Sequence, residues 1–157
     1  MTAILNAEDL YHTGVVVADL DAAMARLSAI GGYEWTAPLE FSLPVRIADT
    51  DRTVDFRFAY SLQAPHLELV QQIPGTIWTP VPGNAAHHLG YFVDDVAAVS
   101  ERLAAAGFER EACVVGEGGA AAAFAYHIDA GACASRSWSG HCSATSAPSS
   151  SRTDRSS

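Results

Sequence analysis

The sequence predicts an α+β fold built from two tandem βαβββ modules, and three observations support that prediction. The chain repeats itself at an offset of 76 residues, since "HTGVVVADLDAAMARLSAIGG" from His12 aligns with "HLGYFVDDVAAVSERLAAAGF" from His88. Each copy opens with a β-branched or aromatic run and continues with apolar residues at helical spacing. Strand-like stretches then follow each helix, so the two halves share one plan.

The boundaries of each element follow from local signals. An aspartate after the first strand of each copy, Asp19 and Asp95, is placed to cap the helix N-terminus. Gly31 and Gly107 are placed to end the two helices. The predicted helices are 19–30 and 95–106, and the predicted strands are 10–17, 54–61, 66–72, 87–93, 108–115 and 121–128.

An abrupt change of composition divides the chain after residue 129. Ten of the 28 residues from Ala130 onward are serine, and this segment carries a charge of +2 whereas residues 1–129 carry −11. The sequence therefore predicts one domain over 1–129, with module one at 8–74 and module two at 85–129, and a disordered tail over 130–157. Because this tail starts where the last strand of module two is due, we expect that strand to be missing or altered.

The tail is also consistent with a shifted reading frame. With GC-rich codons, "GACASRSWSG" from residue 131, read two nucleotides later, becomes Gly-Val-Arg-Val-Glu-Val-Val-Val-Gly. Apolar and polar residues alternate in this string as in a strand, and it is similar to "HLELVQQ". Its glutamate appears only if Arg136 uses an AG-type codon. We favour a frameshifted, non-native tail over a natural serine-rich one, and the DNA sequence across codons 127–145 decides between them.

Charge and composition narrow the classes of partner. The net charge of −9 argues against nucleic acid, because phosphate binding needs clustered cations and this chain has few. All nine basic residues are arginine and none is lysine, which indicates a GC-rich coding sequence. No apolar stretch approaches the roughly 20 residues that cross a bilayer, and no basic and apolar leader opens the chain. We expect a cytoplasmic protein with a small-molecule substrate and with neither a nucleic-acid nor a membrane partner.

The repeated plan, the histidine that opens each module and "HLELV" in module one together resemble the vicinal oxygen chelate (VOC) superfamily. This superfamily includes glyoxalases, bleomycin-resistance proteins and extradiol dioxygenases. The likeness covers residues 10–129 and is closest in layout to single-domain glyoxalase-like and methylmalonyl-CoA epimerase-like members. It implies a cup-shaped, mostly antiparallel mixed sheet with a divalent metal ion at its base. A sheet edge left open by a missing strand would favour a homodimer.

The resemblance also assigns metal ligands. His12 and His88 take the histidine positions, and Glu68 takes the carboxylate position in the last strand of module one. The fourth ligand, usually a glutamate in the last strand of module two, has no equivalent in this sequence. Zinc, iron, manganese, nickel and cobalt all suit two imidazoles with a carboxylate. Strand alternation predicts that His87 faces away from the cup and His88 into it.

Other residues are assigned to the pocket, with alternatives open. His66 lies two residues before Glu68 and is a pocket residue, a substitute ligand or a surface residue. Tyr60 and Tyr126 are equivalent in the repeat and are either pocket residues or core aromatics. His127 is a pocket or a surface residue. The sequence identifies no catalytic base.

These features lead to three hypotheses for the function. The first is a divalent-metal-dependent lyase or isomerase, glyoxalase- or epimerase-like, that stabilises an enolate of a small oxygenated substrate. The second is an extradiol-type iron(II) dioxygenase that uses His12, Glu68 and His88 as its triad. The third is a ligand-sequestering protein of the bleomycin-resistance kind, without metal chemistry. We expect the absence of a fourth ligand to weaken metal affinity and activity.

Overall fold

The computed structural model describes residues 2–129 and 141–146. It confirms the α+β class and the repeated βαβββ order. None of the helices in these ranges is long and apolar enough to span a membrane. The elements of module one are β1 (Leu10–Val17), α1 (Leu20–Gly31), β2 (Leu39–Ile47), β3 (Thr50–Tyr60) and β4 (Leu67–Gln71). The elements of module two are β5 (His88–Val93), α2 (Val96–Ala105), β6 (Phe108–Val115), β7 (Ala121–Asp129) and β8 (His141–Ser146).

The helix caps form where the sequence places them. The Asp19 carboxylate accepts a hydrogen bond from the Ala22 amide, and the Asp95 carboxylate accepts one from the Ala98 amide, both at 2.9 Å. The helix α1 ends one residue later than predicted, because Gly32 rather than Gly31 adopts the left-handed conformation, with φ of 68°.

Strand β2 is a difference from the prediction, which placed no strand between the first helix and residue 54. Its sequence, "LEFSLPVRI", has mostly exposed side chains and contains Pro44. It therefore lacks the alternation of buried and exposed side chains, and the continuous row of backbone N–H donors, that are typical of a central strand. Pairing with β3 along its whole length still forms β2, and Val45, Arg46 and Ile47 also pair with β6.

The strands follow the same order in both modules. In module one, β1 pairs in parallel with β4, and β4, β3 and β2 pair antiparallel in turn. In module two, β5 pairs in parallel with β8, and β8, β7 and β6 pair antiparallel in turn. Antiparallel contacts of β1 with β5 and of β2 with β6 join the modules. The result is a mixed, mostly antiparallel sheet that curves around one interior.

The last strand of module two, expected to be missing or altered, is present with an altered sequence. Strand β8 lies between β5 and β7, and its sequence "HCSATS" contains no carboxylate. The remainder of the predicted tail, 130–140 and 147–157, lies outside the described residues. A frameshifted origin of this segment stays a prediction.

The register of β8 identifies the equivalent of Glu68 in module two. In module one, Glu68 pairs with Gly14 on one side and Tyr60 on the other. In module two, Ser143 pairs with Gly90 and Tyr126, which are the repeat equivalents of that glycine and that tyrosine. The position from which a fourth ligand would come is therefore occupied by serine.

Candidate metal centre

Three side chains from three strands converge inside the sheet. His12 comes from β1, Glu68 from β4 and His88 from β5, and all three are buried. The Nε2 atom of His88 lies 2.9 Å from Oε2 of Glu68 and 3.1 Å from Nε2 of His12. The Nε2 atom of His12 lies 3.3 Å from the same Glu68 oxygen. These residues are the predicted ligands, and they form a cluster that could hold a metal ion.

The spacing of the three donor atoms fits a small divalent cation. Ligands at about 2.1 Å from a metal lie about 3.0 Å apart at a right angle and about 3.4 Å apart at the tetrahedral angle. The observed separations of 2.9, 3.1 and 3.3 Å fall close to that interval. Two imidazoles and one carboxylate also form a donor set that first-row divalent metals accept.

Two glycines allow the imidazoles to reach each other. In the antiparallel pair of β1 and β5, His12 is opposite Gly90, and His88 is opposite Gly14. A Cβ atom at Gly14 would lie 1.9 Å from Cε1 of His88, and one at Gly90 would lie 2.1 Å from Cε1 of His12. Each ring therefore occupies the space that a side chain on the facing strand would fill. This role of the two glycines was not predicted, although "HTG" and "HLG" share the spacing that indicates it.

His87 does not face away from the cluster, so that prediction is wrong. The residue precedes β5, whose first residue is His88, and strand alternation does not apply to it. His87 is buried, and its Nδ1 lies 3.1 Å from Nδ1 of His88 while its Nε2 lies 2.8 Å from the carbonyl oxygen of Ile77.

These contacts fix the orientation of the His88 ring. A carbonyl oxygen only accepts, so Nε2 of His87 donates to Ile77 and, in a neutral ring, Nδ1 of His87 accepts. The Nδ1 atom of His88 then donates to His87, and Nε2 of His88, which faces Glu68 and His12, donates to the Glu68 carboxylate in the metal-free cluster. His87 thus holds the ring with Nε2 as the atom that would bind a metal.

We expect His87→Leu to weaken zinc affinity about 10- to 100-fold, the usual range for loss of such a supporting hydrogen bond. Asparagine has nearly the shape of leucine but offers an acceptor close to the position of Nδ1, so His87→Asn should restore most of the affinity. Competition titration against a chromophoric chelator measures both variants. Equal affinity in the two variants would mean that His87 acts through packing alone.

Burial and hydrogen bonding act in opposite directions on Glu68. Burial raises the pKa of a carboxyl group, but the hydrogen bonds with His12 and His88 outweigh that effect and hold the pKa of Glu68 well below its usual range. Burial raises the pKa of Tyr60 and of Tyr126, and the nearby charge of Glu68 raises both further. Glu68 therefore stays ionised at neutral pH while both phenols keep their protons.

Of the other pocket candidates, the two tyrosines line a cavity beside the cluster, and the two histidines do not. The cavity has a volume of about 270 Å³, and its walls include Tyr60 and Tyr126 together with His12 and Glu68. His66 is stacked on Tyr11, and its Nδ1 donates to the carbonyl oxygen of Ser61 at 3.0 Å. This bond holds His66 outside the three-residue cluster.

His127 lies away from the cavity because alternation along β7 points it opposite to Tyr126. It is fully buried beside α2, where Nε2 lies 2.9 Å from the hydroxyl oxygen of Ser100. Burial, and after it the charge of Arg110, lower the pKa of His127 to about 4. This histidine is an uncharged core residue at neutral pH.

His127 should make the fold sensitive to acid. Its folded pKa of about 4 lies below the unfolded value of about 6.5, so the unfolded chain binds more protons and stability falls as the pH drops below 6.5. This group alone should remove about 2 kcal/mol between pH 7 and pH 5. Urea unfolding at both pH values measures the loss, and His127→Gln should show a smaller difference. An unchanged difference in that variant would assign the acid sensitivity to other groups.

The comparisons with known proteins agree with this geometry. A family profile described as Glyoxalase/Bleomycin resistance protein/Dioxygenase superfamily matches residues 11–126. The chain belongs to this superfamily. The match covers both modules and confirms the resemblance found in the sequence. A search of curated protein sequences finds no significant match.

Several solved structures share the fold at low sequence identity. A methylmalonyl-CoA epimerase in complex with methylmalonyl-CoA and NH4+ is 16% identical, with a TM-score of 0.58 and coverage of 90% of this chain and 95% of the epimerase. The Mycobacterium tuberculosis methylmalonyl-CoA epimerase is 20% identical, with a TM-score of 0.55 and 94% of each chain covered. A hypothetical protein from Bacillus halodurans C-125 is 13% identical, with a TM-score of 0.58 and coverage of 90% and 95%.

Proposed function

We propose that the chain is a divalent-metal-dependent enzyme of the lyase or isomerase kind that acts on a small oxygenated substrate, as glyoxalases and epimerases do. The observation that carries this proposal is the buried cluster of His12, Glu68 and His88 at a wall of the cavity. A divalent metal held there would supply a Lewis acid that polarises a carbonyl group and stabilises the negative charge left by removal of a neighbouring proton.

The chain's own residues would prepare that chemistry. Glu68 stays ionised and contributes the negative charge that attracts a cation. Tyr60 remains protonated, because burial and the nearby charge of Glu68 raise the pKa of its phenol. His87 accepts the Nδ1 proton of His88, which leaves Nε2 as the atom that would bind the metal. The apolar walls of the cavity limit the water that competes for substrate oxygens.

Metal content is the direct test. After incubation with Zn²⁺ and dialysis, the wild-type protein should retain about one ion per chain. His12→Ala, Glu68→Ala and His88→Ala should each lose it, since each removes one donor of a three-donor cluster. His66→Ala is the matched control, because His66 is a neighbouring histidine held by Ser61. Equal retention in all four variants, or loss only in the His66 variant, would contradict the assignment.

A specific observation favours ligand sequestration as the second candidate. The residues that line the cavity include one carboxylate, Glu68, which the proposal uses as a ligand, and two tyrosines with raised pKa values. Among the described residues of this lining, no separate group is suited to act as a base at neutral pH. A sequestering protein needs none, so ligand affinity that is the same with and without metal would favour this candidate.

The donor set itself also matches the triad of non-heme iron oxygenases. Oxygen consumption by the iron(II)-loaded protein in the presence of catechol would identify this chemistry. If the protein retains metal but consumes no oxygen with catechol, the lyase or isomerase proposal stays in place.

A further inference from the structure

The cavity beside the cluster has walls made largely of aromatic rings. Phe56 and Trp78 lie with ring centroids 4.7 Å apart at 88°, and Trp78 and Tyr126 lie 5.5 Å apart at 89°. Phe124 contacts Phe56 at 5.6 Å and Tyr126 at 5.5 Å, again nearly perpendicular. Edge-to-face contacts of this kind are favourable and hold each ring in place. The four rings form a stiff wall that presents both faces and edges to the space inside.

The size of the cavity suits a compact molecule. Its volume is about 270 Å³, and an apolar protein cavity of about 150 Å³ accommodates benzene. One substituted six-membered ring therefore fits with space for a short side arm. His12 and Glu68 lie in the same lining as the rings, so that arm can reach the cluster.

The charges around the cavity disfavour a polyanionic ligand. Among the described residues that line the cavity, none is an arginine or a lysine. Two arginines of the adjoining strands are engaged outside it, Arg46 with Asp51 and Arg57 with Asp21 and Glu40. Phosphate groups are recognised by arginine and lysine side chains. The side of the cavity formed by β2 is also apolar, since Phe41 is 49% exposed and Leu43 lies two residues further along the strand.

We propose that this cavity selects an uncharged, compact aromatic molecule, its ring against Phe56, Trp78 and Phe124 and an oxygen-bearing side arm towards His12 and Glu68. The inference rests on the proposed function only for the direction of the oxygens. The ring selectivity follows from the aromatic walls and from the lack of an arginine or lysine among the described lining residues. It separates this chain from the structural neighbours whose bound ligands are CoA esters.

A matched pair of probes tests the proposal. 2-Hydroxyacetophenone and hydroxyacetone carry the same ketone and hydroxyl oxygens and differ in the phenyl ring. Calorimetric titration of the zinc-loaded protein should give affinity at least about tenfold tighter for the phenyl ketone, because the walls bury its apolar surface. Leu43→Trp should weaken the phenyl ketone selectively, since an indole at the cavity wall would fill the ring's space, and circular dichroism checks that this variant folds.

The outcomes separate this inference from the proposed function. Equal affinity for both probes, or tighter binding of methylmalonyl-CoA than of the phenyl ketone, would overturn the aromatic selectivity even if zinc is retained. A phenyl preference in a protein that retains no zinc would support the selectivity and contradict the metal-dependent function.

Discussion

Replacing Gly14 by alanine is expected to abolish metal retention although all three proposed ligands stay in the sequence. The added Cβ would lie 1.9 Å from Cε1 of His88 and 2.2 Å from its Nε2. The ring must move, which takes its donor atom away from Glu68 and His12. Overpacking of this kind typically costs about 1–3 kcal/mol of folding stability. Metal content after dialysis and urea unfolding measure the two effects.

Two controls make this result specific to the ring. Gly31→Ala adds the same methyl group at the end of α1, where its nearest neighbour is the Tyr33 ring at 3.1 Å, and should leave metal retention intact. In a His88→Ala background the stability cost of Gly14→Ala should largely disappear, because the two groups no longer meet. If the cost persists in that background, the glycine acts on something other than the imidazole.

The second large effect that we expect is a gain in zinc affinity. Ser143→Glu should strengthen zinc binding by at least about tenfold, or about 1.4 kcal/mol. Ser143 has the same register partners in module two that Glu68 has in module one. A carboxylate introduced there would stand at the position from which the superfamily resemblance implies a fourth ligand, and four-ligand shells are usual for zinc.

Ala144→Glu is the matched control for this gain. It adds the same charge to β8 but shifts it by one register position, so it should not change zinc affinity as much. Competition titration compares both variants with the wild type. Equal gains in the two variants would reduce the effect to general electrostatic attraction, and no gain in either would place β8 outside the coordination shell.

The parts of the fold that the sequence predicted are those in which local pattern and tertiary structure agree. Asp19 and Asp95 cap helices because the capping interaction is local, and the repeat at His12 and His88 fixed the first strand of each module. Strand β2 was missed because pairing with β3, rather than its own exposed and proline-containing sequence, forms it.

Features that depend on contacts distant in sequence were not predictable. The contact of His87 with Ile77 depends on the path of the chain before β5, which alternation does not describe. The equivalence of Ser143 with Glu68 appears only in the register, since "HCSATS" has no strand signature of its own. Composition could suggest that the strand was altered, but it could not show which residue holds the ligand position.

The reciprocal arrangement of glycine and histidine has a consequence for how the duplicated halves can evolve. Gly14 makes space for a histidine of module two, and Gly90 makes space for a histidine of module one. A mutation of the glycine in either half therefore affects the position of a histidine in the other half, so the two copies cannot change independently after duplication. Neither half alone provides the space that its own imidazole needs. Selection therefore acts on the two halves together.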